Sequence, residues 1–171
     1  MKKTPKKPPE SKAPAAHPME GKPAPDFELP DASGRIWKLH DLTARGNLVL
    51  YFYPKDLTPG CTREACDFRD NLSRVQAAGA QVAGVSADPP DSHQKFAAKH
   101  ELNFPLLSDT STRILKAYGV YKKKSLYGRE FMGIERTTFV IDRTGTIRKV
   151  FPKVKVDGHA QAVLDALRNL S

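Results

Sequence analysis

The 171-residue chain predicts an α/β fold, a sheet covered by helices on both faces, within one globular domain. Three observations carry this. The run Leu48-Val-Leu-Tyr-Phe-Tyr53 is apolar and aromatic without a break, as expected of a strand buried on both faces. From there to Gly119, strand-like runs alternate with helix-like periodicity. The chain then closes with a hairpin signal and an amphipathic segment.

The elements follow in order. The domain begins near Gly21, where Ala24-Pro25-Asp26-Phe27 leaves a low-complexity start, and spans residues 21–171. Ile36 to Leu39 reads as a short strand after the turn Asp31-Ala-Ser-Gly34. The apolar run 48–53 is stopped by Pro54. A helix extends from about Pro59 to Ala78, ended by Gly79, and Val82 to Ser86 reads as a second buried strand. Ser92 to His100 and Thr112 to Tyr118 read as helices, the second closed by Gly119. Lys122-Lys-Lys124 reads as a solvated loop, with a secondary reading in which it steers an acidic partner. Thr137 to Ile141 and Thr146 to Val150 form a hairpin around Asp142-Arg-Thr-Gly145. His159 to Leu170 places Val163, Leu164 and Leu167 on one helical face.

Composition narrows the function classes. Apolar residues make up 39% and charged residues 27%, ordinary for a globular domain. The sequence contains no run of eighteen apolar residues, so a membrane-spanning helix is not expected. The basic N-terminus lacks the apolar stretch of a secretory signal, so a cytoplasmic location is expected. The net charge is +9, and residues 1–24 supply +4 of it through six Lys and two Glu. Residues 1–20 therefore read as a flexible Lys/Pro/Ala-rich tail, solubilising or weakly tethered to polyanions. There is no internal repeat and no Gly-rich phosphate loop.

The chemistry concentrates in Tyr53-Pro-Lys-Asp-Leu-Thr-Pro-Gly-Cys-Thr-Arg-Glu-Ala-Cys66, which holds both cysteines. Thr58 followed by Pro59 has the form of a helix N-cap with Pro in the first position. Cys61 is then the third helical residue, where a capping box places Glu, so a thiolate there meets free N–H groups and the positive end of the helix dipole. Cysteines in such places are nucleophilic. Cys61 shares its helical face with Ala65, Phe68, Leu72 and Val75; Cys66 shares the polar side with Arg69, Asp70 and Ser73. Five helical residues put the two Cα atoms about 8.6 Å apart, beyond the roughly 7 Å that a disulfide tolerates. A Cys61–Cys66 disulfide therefore requires the first turns to unwind. The alternatives fit less well. Zinc would need more donors than a C-x4-C pair offers, the five His at 17, 40, 93, 100 and 159 showing no metal spacing. The pair is not the C-x-x-C of thioredoxin-type sites, and two cysteines make no structural framework.

Pro54-x-x-x-Thr58-x-x-Cys61 resembles the active-site signature of the peroxiredoxins. Cys66, five residues on, looks like the PrxQ or bacterioferritin comigratory protein branch. Gly133-Ile-Glu-Arg136-Thr-Thr-Phe-Val-Ile-Asp142 is similar to the family's arginine strand, and Phe151-Pro-Lys-Val-Lys-Val-Asp-Gly-His159 also resembles that branch. The likeness covers residues 21 to 171. It implies a thioredoxin-like fold, a central mixed sheet flanked by helices, and reduction of hydroperoxides without metal or organic cofactor. It further implies Cys61 as the peroxidatic nucleophile, and Thr58 hydrogen-bonding the sulfur and the peroxide. Pro54 would shield the thiolate, and Arg136 would hold thiolate and peroxide. Cys66 would resolve the sulfenic acid to an intramolecular disulfide, reduced by a thioredoxin-like donor. The internal disulfide removes any chemical need for a dimer, and a monomer is expected.

Arg129 rivals Arg136 as the cation, and Glu64 either positions the loop or merely favours the helix N-terminus. A general thiol-disulfide oxidoreductase without peroxide turnover is the enzyme alternative. A nucleic-acid-binding protein led by its basic tail is the other.

Overall fold

In the computed structural model, residues 16–170 are described. The elements run β1 (Glu28–Pro30), β2 (Ile36–Lys38), α1 (Leu39–Thr43), β3 (Asn47–Phe52), α2 (Pro59–Ala77), β4 (Ala80–Ser86), α3 (Pro90–His100), β5 (Leu106–Ser108), α4 (Arg113–Ala117), β6 (Tyr121–Leu126), β7 (Arg129–Ile134), β8 (Thr137–Ile141), β9 (Ile147–Phe151) and α5 (His159–Arg168). Five strands form the central mixed sheet in the order β5-β4-β3-β8-β9. β3 lies in the middle, parallel to β4 and antiparallel to β8.

The run around β3 is continuously apolar because both of its faces are covered. Val49 and Tyr51 point to a layer containing Ala65, Phe68 and Val75 of α2, Phe96 of α3, and Val163, Leu164 and Leu167 of α5. Leu48, Leu50 and Phe52 point to the opposite layer, with Phe27, Trp37, Leu42, Leu115 and Tyr118. The alternation is the period of two of a strand, hidden because neither side meets water. Gly84 on β4 leaves space for the Tyr51 ring, since a Cβ there would lie 2.8 Å from its Cζ. α2 stops where Gly79 takes φ +80°, a conformation that favours glycine.

Differences from expectation are local. Lys122–Lys124 is not a loop but part of β6, paired with β7 around the turn Tyr127-Gly128. This ribbon stands outside the main sheet, so its sequence needs no apolar alternation. Lys122 and Lys123 are instead paired with Glu135 and Glu130. The helix expected over 112–118 is shortened to α4, as Thr112 sits at φ 62° ahead of it. β1, α1 and β5 are too short for periodicity to reveal. Residues 1–15 of the basic tail lie outside the described residues. His17 to Glu20, tail by composition, contact the body: the His17 ring meets Phe139, and Glu20 Oε1 accepts from the Val150 amide at 3.0 Å. Among the described residues no helix is long and apolar enough to cross a membrane.

Candidate active site

The site is built where β3 hands over to α2. Thr58 is the N-cap with extended backbone (φ −79°, ψ 152°), and Pro59 opens the helix. Cys61 is thus at the third helical position, and only 1% exposed, because the face it shares with Ala65, Phe68 and Val75 packs on the sheet. Cys66 is half-buried on the outer side of the same unbroken helix, and both thiols are free.

Arg136, in the link between β7 and β8, reaches across the start of α2. Its Nη2 donates to Cys61 Sγ at 3.3 Å and its Nη1 to Glu64 Oε1 at 2.7 Å. Gly60 permits this approach, since a Cβ there would stand 3.2 Å from Nη2. Burial works against the guanidinium charge, but Glu64 and Cys61 outweigh it and hold Arg136 above its ordinary range. Glu64 is 1% exposed. Burial pushes its carboxyl up to about 7, and Arg136 opposes the rise without cancelling it. Its Oε2 and the nearby Tyr51 hydroxyl are both buried without a hydrogen-bond partner. Burial, then the negative charges of Glu64 and Cys61, raises the Tyr51 phenol far above its usual range.

The loop from 54 to 58 frames the entrance. Pro54 is exposed, one residue beyond the buried Tyr53. The Thr58 hydroxyl donates to the Lys55 carbonyl at 2.9 Å rather than to the sulfur, so its side chain neither caps the helix nor touches Cys61 as a donor. A hydroxyl has one hydrogen, and the tight turn at Leu57 (φ 65°) brings Lys55 within its reach. Asp56 anchors the loop from below. It accepts from Tyr53 Oη at 2.6 Å, Ser92 Oγ at 2.8 Å and His93 Nδ1 at 2.7 Å, while its own amide donates to Asp88 at 2.9 Å. His93 Nε2 lies 3.0 Å from the Leu107 carbonyl. Asp56, Asp88 and His93 are metal-type donors within 4.8 Å of one another, yet each is already engaged by protein groups.

A strap between β9 and α5 closes the other side. The Val154 amide donates to the Arg136 carbonyl at 2.9 Å, fixing the backbone that carries the guanidinium. His159 bonds Thr138 Oγ1 at 2.8 Å and packs edge-on against Phe68 and Phe151. Burial, then the Arg136 charge, lowers its imidazole to about 4, so it is neutral at pH 7. Asp157 pairs with Arg63 on α2.

Of the sequence-predicted residues, the fold brings Cys61 and Arg136 into contact and sets Thr58 and Pro54 in the adjoining loop. Cys66 remains apart. Arg129, the rival cation, is exposed on the outer ribbon opposite Leu126. Sequence reasoning undervalued Glu64 and missed Asp56 and His93. Glu64 had a readable signal: it falls three residues after Cys61, on the apolar face of the helix, where a carboxylate needs a partner.

A profile of the AhpC/TSA family matches residues 21–150. The chain is 46% identical over 151 residues to peroxiredoxin Bcp of Bacillus subtilis, covering 88% of this chain and 96% of that one. Among solved structures it resembles the bacterioferritin comigratory protein of Xanthomonas campestris, whose structure was studied for alkyl peroxide reduction. That match has a TM-score of 0.80 and 43% identity, over 84% of this chain and 91% of the other. Peroxidoxin BcpB of Mycobacterium tuberculosis matches with a TM-score of 0.81 and 39% identity, over 91% and 99%.

Proposed function

Because this chain belongs to the AhpC/TSA family, as a thiol-dependent peroxidase of the Bcp/PrxQ peroxiredoxins, we propose that Cys61 is its peroxidatic cysteine and Cys66 its resolving cysteine. The observation that carries the assignment is the 3.3 Å contact from Arg136 to Cys61 Sγ at the start of α2. The guanidinium sets a cation against a buried sulfur in the first turn of a helix, the kind of place where a cysteine serves as a nucleophile.

In the first step the Cys61 thiolate attacks the terminal peroxide oxygen. An S–O bond forms, the O–O bond breaks, and the leaving oxygen takes a proton to become water or an alcohol. Arg136 already directs one N–H at the sulfur and lies where charge develops on the departing oxygen, the arrangement that lowers such barriers most. Glu64 holds the guanidinium from the other side. Thr58 has committed its hydrogen to Lys55, which leaves its oxygen free to accept from the peroxide O–H. Pro54 caps the rim of the loop and limits water.

Cys66 then resolves the sulfenic acid. Since the intact helix keeps the Cα atoms about 8.6 Å apart, the first turns of α2 unwind for the disulfide to close. A thioredoxin-like dithiol reduces it by exchange, and the cycle is complete within one chain. Hydrogen peroxide and organic hydroperoxides are the proposed substrates, and no cofactor enters the scheme. The basic tail acts as a weak polyanion contact; salt-sensitive DNA retention lost on deleting residues 1–20 tests this.

Intact mass after one equivalent of hydrogen peroxide tests the assignment. The wild type loses two hydrogens within seconds, and Cys66→Ser gains one oxygen instead. No change on that timescale would overturn it.

A further inference from the structure

The β6–β7 ribbon has two unlike faces, and the proposed cycle leaves one of them unused. Residues directly opposite in an antiparallel pair share a face. The register therefore gathers Lys122, Lys124, Leu126, Arg129, Phe131 and Gly133 on one side. The other side holds Tyr121 and Ile134, which pack on the core, and the Lys123–Glu130 ion pair. The first side carries no carboxylate of its own. Lys122 turns to Glu135 beyond the strand, Lys124 Nζ donates to the Ile134 carbonyl at 2.5 Å, and Arg129 has no ion-pair partner among the described residues. Apolar groups stand exposed among these cations: Leu126 at 58%, Phe131 at 46% and, at the turn, Tyr127 at 97%. Gly133 makes room for Lys124 and Phe131 to lie across the strand, since a Cβ there would stand 3.1 Å from Lys124 Cδ and 3.3 Å from Phe131 Cε2. Tyr127 and Gly128 have φ of 51° and 76°, both positive as in the tight hairpin turns that favour Asn-Gly. A tyrosine held there in water adds strain without adding burial.

We propose that this basic, aromatic face of the ribbon is the docking surface for an acidic dithiol protein that reduces the Cys61–Cys66 disulfide. This rests on the assignment of Cys61 and Cys66 above. Charge selects the occupant: a second copy of the face would meet like charge, and so would the Lys-rich tail. Position selects its chemistry. Ile134, at the base of the ribbon, is two residues from Arg136, whose guanidinium touches Cys61. A standard protein interface covers ~800 Å² per partner, roughly 16 Å in each direction from its centre. The ribbon is about 17 Å long from Ile134 to Arg129, so a partner working at the start of α2 overlies much of it. Tyr and Arg are the residue types that most often carry binding energy at interfaces, and cations beside them speed encounter with an acidic surface. In the exchange, a thiolate of the partner attacks one sulfur of the disulfide, the S–S bond breaks and a mixed disulfide forms. The partner's second thiol then displaces the remaining sulfur. The dithiol gives up two electrons and two protons and leaves as a disulfide, and Cys61 and Cys66 are thiols again.

Stopped-flow reduction of the peroxide-oxidised full-length protein tests this, with a thioredoxin of net negative charge as the protein donor and dithiothreitol as a small dithiol that needs no docking surface. In Arg129→Glu the second-order rate constant with thioredoxin falls roughly tenfold at low salt, and the deficit shrinks at about 0.5 M salt. In Tyr127→Asn, which suits the turn, it falls about threefold with little dependence on salt. Peroxide oxidation and reduction by dithiothreitol keep their wild-type rates in both variants. Unchanged thioredoxin rates in both overturn the proposal, and loss of binding to phosphatidylglycerol vesicles in their place assigns the face to an anionic lipid surface instead. Equal slowing with thioredoxin and dithiothreitol overturns it too, because the ribbon would then act on the disulfide itself. So does a wild type that dithiothreitol reduces and thioredoxin does not. If peroxide yields no Cys61–Cys66 disulfide by intact mass, the cysteine assignment falls and this proposal with it, a failure visible before any variant is compared.

Discussion

Two buried carboxylates eight residues apart, Asp56 and Glu64, flank the entrance to α2 and are treated in opposite ways. Asp56 receives three side-chain donors, from Tyr53, Ser92 and His93, and every group around it is paired. Glu64 has a single partner, Arg136, and its second oxygen is left bare beside the equally unpaired Tyr51 hydroxyl. A saturated network fixes geometry, whereas an unsaturated one keeps electrostatic tension where a charge must later move. Asp56 is therefore architecture for the loop, and Glu64 is part of the apparatus that presents Arg136 to the sulfur.

Substitutions can break that comparison. Asp56→Ala should have the largest effect, costing ~3–5 kcal/mol of stability by stranding His93, as read from denaturant midpoints. The molecules that remain folded should keep most of their peroxide reactivity; a loss of activity beyond the loss of fold would erase the distinction. Arg136→Met should do the reverse. Its kcat/KM for hydrogen peroxide should fall roughly 10²–10³-fold, with a far smaller change in stability than Asp56→Ala shows.

Glu64→Gln sharpens the comparison through pH. Because the folded carboxyl is raised to about 7 from an ordinary value of 4.5, its contribution to stability is complete below pH 4.5 and lost as pH rises through 7. Gln cannot ionise, so the variant should gain on the wild type in urea midpoint between pH 5 and 8. Its peroxide reactivity should fall about tenfold above pH 7, where the wild-type carboxylate holds Arg136, and approach wild type below pH 6. A pH-independent difference would mean Glu64 does not titrate in this range. His159 has the opposite sign. Its imidazole is lowered to about 4, so folded stability is present above pH 6.5 and declines as the pH falls towards 4. His159→Gln should shallow that decline by ~1–2 kcal/mol at pH 5, provided the Thr138 bond is kept.

The contrast also separates what could be read from what could not. The N-cap, the third-position cysteine and the two faces of α2 follow from spacing and residue type alone, because helix geometry is local. Thr58 was legible as a cap in its backbone but not in its side chain, whose hydrogen goes to Lys55 through a turn that no periodicity encodes. The ribbon of β6 and β7 was hidden by its lysines, since a strand pair outside the core has no apolar alternation to display.

By itself, the sequence determined an α/β sheet buried on both faces, one inward and one outward thiol on a single helix, and a separation that forbids their disulfide while the helix stands. These are consequences of fixed rise and rotation per residue, which need no partner element. Only the tertiary structure decided that Arg136, seventy-five residues from Cys61, meets the sulfur, that Glu64 holds it there, and that Asp56 and His93 lock the loop between them. Those contacts depend on antiparallel β8 beside β3 and on α3 packed against β5. Contacts between distant segments are set by how the sheet is ordered, and strand order is not written in any local pattern.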